Sequence, residues 1–279
     1  MMRVIRADAA GACYGVQRAL DLAYRASEDN HRVQSLGPLI HNPLVVSELA
    51  QRGVRVVDEA KDIHGGTVII RSHGVIPSEK RLLEERATEV IDATCPYVLR
   101  AQNAAKALAE QYGAVVVIGD PVHPEVEAIC AYAQEAGGAV WVVDSAGRIP
   151  DDLPATLGIV VQTTQNRAVF EQIIGVLQTR GICLHVKDTI CSATSQRQNA
   201  AKELAAQVDA MVVIGGHNSS NTTRLYEICE AICPRTYHIE TLEELEPVGF
   251  DGCEVIGITA GASTPENQIA PVQEYLERL

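Results

Sequence analysis

Three cysteines, Cys13, Cys95 and Cys191, each open the same sequence unit, and a threefold repeat of this kind leaves few folds open to the chain. Each cysteine leads into a helix-like stretch and then into an apolar, strand-like run. A glycine follows 24 residues after each (Gly37, Gly119, Gly215), and His41, His123 or Ser219 follows 28 residues after each. The last two copies are nearly one text. Asp92-Ala93-Thr94-Cys95 leads to Gln102-Asn103-Ala104-Ala105-Lys106 and then Val116-Val117-Ile118-Gly119. Asp188-Thr189-Ile190-Cys191 leads to Gln198-Asn199-Ala200-Ala201-Lys202 and then Val212-Val213-Ile214-Gly215. Three equivalent positions on three similar units meet at one point if the units pack around a pseudo-threefold axis. The expectation is a three-thiolate site at the centre of such a molecule.

Short apolar runs mark strands at Val4-Ile5, Val54–Val57, Thr67–Ile70, Ala114–Ile118, Ala139–Val143, Ile159–Val161, Ala210–Ile214 and Val255–Ile258. Helical patterns lie between them, as at Val98–Tyr112 and Ser195–Val208. This alternation predicts parallel sheets covered by helices, with strands buried on both faces. Turn signals at Gly65-Gly66, Gly137-Gly138 and Asp151–Pro154 separate the units. The reading is three small parallel-sheet α/β domains of about 90 residues each. Their bounds are 13–95, 96–190, and 191–279 together with 1–12, the opening strand joining the third.

The 279 residues suffice for a large core, and a net charge of −13 argues against a nucleic-acid partner. The charged N-terminus does not read as a signal peptide, and no apolar run has the length of a membrane span. A cytoplasmic protein with reduced thiols is expected. The chain has eight cysteines. Cys130, Cys183, Cys229, Cys233 and Cys253 read as ordinary core packing, with Cys229 and Cys233 able to share a helix face.

In parallel α/β units, ligands gather where strand C-termini meet helix N-termini. The repeated loops fall there: Gly37–Pro43, Gly119–Glu125 and Gly215–Asn221. A second set follows later strands, at Arg71–Gly74, Gln162–Thr164 and Thr259–Ser263. Three thiolates without a fourth suit a [4Fe-4S] cluster with one iron not ligated by protein, an open Lewis-acid position. A helix start after each cysteine favours the thiolate. A duplicated fold whose cysteines merely pack at a shared corner stays open on pattern alone. The loops offer neutral donors and helix N-termini suited to a diphosphate, although no lysine or arginine repeats at equivalent places in them. Glu125 is the one acidic side chain in the equivalent triplets His41–Pro43, His123–Glu125 and Ser219–Asn221. It reads either as helix-start chemistry or as a proton donor, with Thr163 able to orient the proton.

The motifs Ala10–Val16, Ile40–Asn42, Ser72–Val75, Asp92–Pro96, His123–Val126, Gln162–Thr164, Asn218–Asn221 and Thr259–Ser263 resemble those of the IspH/LytB family, 4-hydroxy-3-methylbut-2-enyl diphosphate reductases, essentially end to end. The resemblance implies a trefoil of three α/β domains around a central iron–sulfur cluster. It implies the last step of the non-mevalonate isoprenoid pathway, in which two electrons and two protons remove an allylic hydroxyl as water. Isopentenyl and dimethylallyl diphosphate are the implied products, and a ferredoxin or flavodoxin the implied electron donor. Carried over by motif, Cys13, Cys95 and Cys191 match the cluster ligands. His41, His73, His123, Thr163, Ser219, Ser220, Asn221 and Ser263 match the substrate contacts. Glu125 matches the proton donor, with Thr163 and His123 beside it. Two positions depart from the family pattern: Ala12 stands where Phe is usual, and His217 where Lys is usual. A quinolinate-synthase-like lyase shares the threefold logic but holds dicarboxylates, for which clamps typically use arginine. A redox sensor without a substrate leaves Glu125 unused.

Overall fold

A computed structural model describes residues 2–29, 32–245 and 249–279. Among them run the strands β1 (Arg3–Arg6), β2 (Val33–Leu36), β3 (Val54–Val57), β4 (Thr67–Ile70), β5 (Glu89–Asp92) and β6 (Ala114–Ile118). They continue as β7 (Ala139–Val143), β8 (Thr156–Val161), β9 (Cys183–Lys187), β10 (Ala210–Ile214), β11 (Thr236–Ile239) and β12 (Val255–Ala260). The helices are α1 (Tyr14–Asp29), α2 (Pro43–Gln51), α3 (Pro77–Arg86), α4 (Pro96–Tyr112), α5 (Pro124–Glu135), α6 (Arg167–Thr179), α7 (Ser192–Ala205), α8 (Ser220–Glu230) and α9 (Glu266–Arg278). Proline opens α2, α3, α4 and α5, where its missing N–H costs nothing and its fixed φ suits the helix.

The strands form three four-stranded sheets, all parallel, in the orders β3-β2-β4-β5, β7-β6-β8-β9 and β11-β10-β12-β1. The order is the same three times. In each sheet the chain leaves a central strand for one side, then returns to the other side of that strand. The third sheet takes its last strand from the N-terminus, with Val4 opposite Ile256. Strands β4, β6 and β10 are buried along their whole length, as runs dominated by Val and Ile require.

The described chain divides into two compact units. The first comprises the residues up to Gln17, His41–Val45 and the chain from Ser192 onward. It holds the β11-β10-β12-β1 sheet, with a core of Val212, Ile214, Ile256, Ile258, Ile269 and Val272 on one face. The second comprises Arg18–Ile40 and Val46–Cys191 and holds the other two sheets. Within it, α4 and α5 cover one face of the β6–β9 sheet through Ala101, Ala105, Leu108, Val126 and Ile129.

Three expectations need correction. Helix α7 spans Ser192–Ala205, three residues earlier at each end than the pattern suggested, because it starts directly at the cysteine and a turn at Gln207 feeds β10. Cys183 is not core but exposed, since it sits on the sheet-edge strand β9. Cys130 and Cys253 are half-buried at the margins of their cores, whereas Cys229 and Cys233 are buried together.

Candidate active site

The topology places the candidate residues before their chemistry is considered. Each sheet has its switch point between β2 and β4, β6 and β8, or β10 and β12, where crossovers diverge and leave a crevice at the strand C-termini. The ladders end with Leu36 opposite Ile70, Ile118 opposite Val161, and Ile214 opposite Ala260. The loops begin one residue later, at Gly37, Arg71, Gly119, Gln162, Gly215 and Gly261, so that Thr259 and Ala260 of the third expected loop still belong to β12. Gly215 shows why its position excludes a side chain. Its φ is +142°, and a Cβ there would lie 2.5 Å from Thr264 Oγ1 of the neighbouring loop.

The three cysteines share one local geometry. Each lies immediately before a helix: Cys13 before α1, Cys95 before α4, Cys191 before α7. Each donates its backbone N–H to the loop after its sheet's returning strand. The acceptors are Ala262 O at 3.1 Å, Ser72 O at 3.0 Å and Thr163 O at 3.0 Å. None of the three is in a disulfide. A helix start directs its positive dipole end toward an anionic ligand, so three such positions fit thiolates.

In the second unit the candidates form one connected line. Cys95 is pinned to Ser72, and the neighbouring His73 sets its ring edge-on to His123, centroids 5.4 Å apart. His123 caps α5, its Nδ1 accepting the Glu125 N–H at 3.1 Å, so Nε2 carries the proton in the neutral ring. The Glu125 carboxyl group accepts from Thr163 N at 2.6 Å and from Thr163 Oγ1 at 2.8 Å. Thr163 O in turn receives the Cys191 N–H. Glu125 is 1% exposed. Burial pushes its pKa up from 4.5 to about 7, against the lowering pull of the two Thr163 bonds. Desolvation wins because two hydrogen bonds replace only part of a carboxylate's hydration. A carboxyl group poised near neutrality is suited to proton transfer.

In the first unit, Cys13, His41, Ser263 and the Gly215–Asn221 loop are brought together. Ser263 Oγ donates to His41 O at 3.0 Å, and Asn42 Nδ2 donates to Ser263 O at 2.8 Å. A Cβ on Gly216 would lie 2.9 Å from His41 O, so the two loops touch through backbone. Ser219 caps α8, accepting from Thr222 N at 3.4 Å, and Ser220 and Asn221 form the first turn. Asn221 is 4% exposed, yet neither of its amide atoms has a hydrogen-bond partner among the described residues. Burying such an amide unpaired is costly, which fits a side chain built to meet a ligand.

Neither departure takes part in the hydrogen bonds described above. Ala12 is exposed. His217 donates its N–H to Glu240 at 2.6 Å and sets Nε2 3.3 Å from Glu244, outside the Asn218–Asn221 turn. The residues missed by sequence reading are arginines that bond backbone carbonyls beside the cysteines. Arg18 and Arg100 each follow a cysteine by five residues and Arg197 follows by six, so the offset broke the repeat.

The fold and site define a class: a threefold-repeated parallel α/β protein with one helix-capping cysteine per repeat and a buried, near-neutral carboxyl group. The chain belongs to the LytB protein family, whose model matches residues 4–277. It is 45% identical over 276 residues to the 4-hydroxy-3-methylbut-2-enyl diphosphate reductase of Syntrophotalea carbinolica, covering 98% of each chain. The corresponding reductase of Geobacter sulfurreducens is also 45% identical, over 99% of this chain and 97% of that one. Among solved structures, an (E)-4-hydroxy-3-methyl-but-2-enyl diphosphate reductase, described as the terminal enzyme of the non-mevalonate pathway, is 42% identical with a TM-score of 0.72 over both full chains. The Plasmodium falciparum E-1-hydroxy-2-methyl-but-2-enyl-4-diphosphate reductase shares the fold, with a TM-score of 0.90 at 22% identity, over all of this chain and 88% of that one. No helix among the described residues is long and apolar enough to cross a membrane.

Proposed function

We propose that this chain reduces 4-hydroxy-3-methylbut-2-enyl diphosphate to isopentenyl and dimethylallyl diphosphate, the terminal step of the non-mevalonate isoprenoid route. The observation that carries the reading is the Glu125–Thr163 pair, held in a buried line that runs from the Cys95 amide to the Cys191 amide. The donor set of Cys13, Cys95 and Cys191 fits a [4Fe-4S] cluster with one iron not ligated by protein. When bound, that cluster supplies electrons and a Lewis-acid position. A ferredoxin or flavodoxin in the cytoplasm is the proposed source of the electrons. The three segments 13–95, 96–190 and 191–279 with 1–12 are the proposed domains, one sheet in each.

The reaction breaks the allylic C–O bond and forms a C–H bond. Two electrons enter; one proton leaves with the hydroxyl as water, and the other ends on the carbon skeleton. Glu125 holds the proton for the leaving hydroxyl, and Thr163 fixes the carboxyl group's orientation. His41, His73, His123, Ser219, Ser220, Asn221 and Ser263 bind the substrate and its diphosphate. The α8 N-terminus adds backbone N–H groups and a favourable dipole to that end.

Two experiments test this. Anaerobically reconstituted protein should bind the allylic diphosphate and change its cluster spectrum, whereas inorganic diphosphate should bind more weakly. Absence of any substrate-dependent spectral change contradicts the reading. Asn221→Ala should raise the substrate Kd about tenfold or more, the value of one charge-assisted hydrogen bond, while leaving the melting temperature of the ligand-free protein nearly unchanged. An unchanged Kd removes Asn221 from the substrate contacts.

A further inference from the structure

We propose that Arg18, Arg100 and Arg197 are positioning residues for the cysteine loops: from the helix after one cysteine, each clamps the loop that leads to the next. This rests on reading Cys13, Cys95 and Cys191 as cluster ligands. Arg18 of α1 donates to Thr94 O and Asp92 O, both at 3.2 Å, on the approach to Cys95. Arg100 of α4 donates to Asp188 O at 3.0 Å, on the approach to Cys191. Arg197 of α7 donates to Gly11 O at 2.7 Å, on the approach to Cys13, and to Ala193 O at 3.3 Å in its own helix. Along the chain the three clamps close a circuit, from first cysteine to second, second to third, and third to first.

The chemistry suits such a role. A guanidinium stays charged and presents several donors in a rigid plane, so it fixes the peptide planes it bonds. Two of the clamped loops are also turned by their own aspartates: Asp92 Oδ1 accepts from Thr94 N at 3.0 Å, and Asp188 Oδ1 accepts from Ile190 N at 3.2 Å. The loop before Cys13 has glycine at the clamped residue and no aspartate in the matching position. It therefore depends most on its arginine. Arg197 is 4% exposed, Arg18 is half-buried and Arg100 is exposed, which ranks the clamps in that order. A thiolate misplaced by a loosened loop binds iron less well, so the circuit couples helix packing to cluster retention.

The test uses the full chain, reconstituted anaerobically, as Arg197→Met, Arg197→Lys, Arg18→Met and Arg100→Met, with the exposed Arg55→Met as control. Iron per chain, the EPR spectrum of the reduced cluster and the rate of iron loss to a chelator are measured, together with the melting temperature of the apoprotein. Iron loss should accelerate about tenfold in Arg197→Met, several-fold in Arg18→Met and less than about twofold in Arg100→Met, as expected for losing bonds of falling strength. Arg197→Lys, which keeps one charged donor, should lie between wild type and Arg197→Met, and it carries the test if Arg197→Met does not fold. Arg55→Met should match wild type. Wild-type loss rates and EPR spectra in Arg197→Lys and Arg18→Met would overturn the proposal, whatever happens to the apoprotein melting temperature. A full cluster in Cys95→Ser would instead overturn the ligand reading on which it rests.

Discussion

Glu125→Gln should retain its cluster and bind substrate near wild-type affinity while turnover falls by about two orders of magnitude or more, the usual contribution of a positioned general acid. Glutamine keeps the shape and can still accept from Thr163, but it has no acidic proton to give. Ordinary helix-start chemistry at the same position predicts only about 1 kcal/mol of stability, with activity intact. The pH profile should follow the same carboxyl group. With its pKa pushed up to about 7, wild-type turnover should decline as pH rises through that value. Stability carries the same signature. The folded carboxyl titrates near 7 and the unfolded one near 4.5, so the folded state is favoured most below about 4.5 and loses roughly 3 kcal/mol as pH rises through 7. Glu125→Gln is free of that loss. Its stability relative to wild type should therefore be higher at pH 8 than at pH 5, and equal differences at both would return the carboxyl group to an ordinary pKa.

Replacing any one of Cys13, Cys95 and Cys191 by serine should remove most of the iron retained after anaerobic reconstitution, while Cys130→Ser and Cys183→Ser stay near wild type. The distinction is local geometry. The three ligand candidates each sit at a helix start with the backbone N–H docked on the adjacent loop. Cys130 lies inside α5, and burial pushes its thiol up to about 11, far from the thiolate that iron requires. Full iron content in Cys95→Ser would remove that residue from the ligand set.

Much of this arrangement was legible because parallel sheets buried on both faces write themselves as apolar runs. Val54–Val57, Thr67–Ile70, Ala114–Ile118, Ala139–Val143 and Ala210–Ile214 match their strands end to end. Four strands had no such run. Strands β5, β9 and β11 lie at sheet edges and carry Glu89, Asp92, His185, Lys187 and His238 toward partial exposure. Strand β2 is central and buried, yet it contains Gln34 and Ser35. Their side chains bond the nearby carbonyls of Gly65 and Gly37, which makes polar residues tolerable there. The site's residue types were legible from the repeat and the motifs. Its electrostatics were not, because the pKa of Glu125 is set by burial, which raises it, against the opposing hydrogen bonds of Thr163, 38 positions away in sequence. The arginine clamps left no motif, since their acceptors are main-chain carbonyls that any residue supplies.

Reductive removal of the allylic hydroxyl is open to a single-turnover measurement: anaerobically reconstituted, pre-reduced protein is mixed with 4-hydroxy-3-methylbut-2-enyl diphosphate and the products are identified by mass. Conversion to five-carbon diphosphates lacking the hydroxyl is expected, with two electrons consumed per molecule. Unchanged substrate beside an intact, reduced cluster would contradict it.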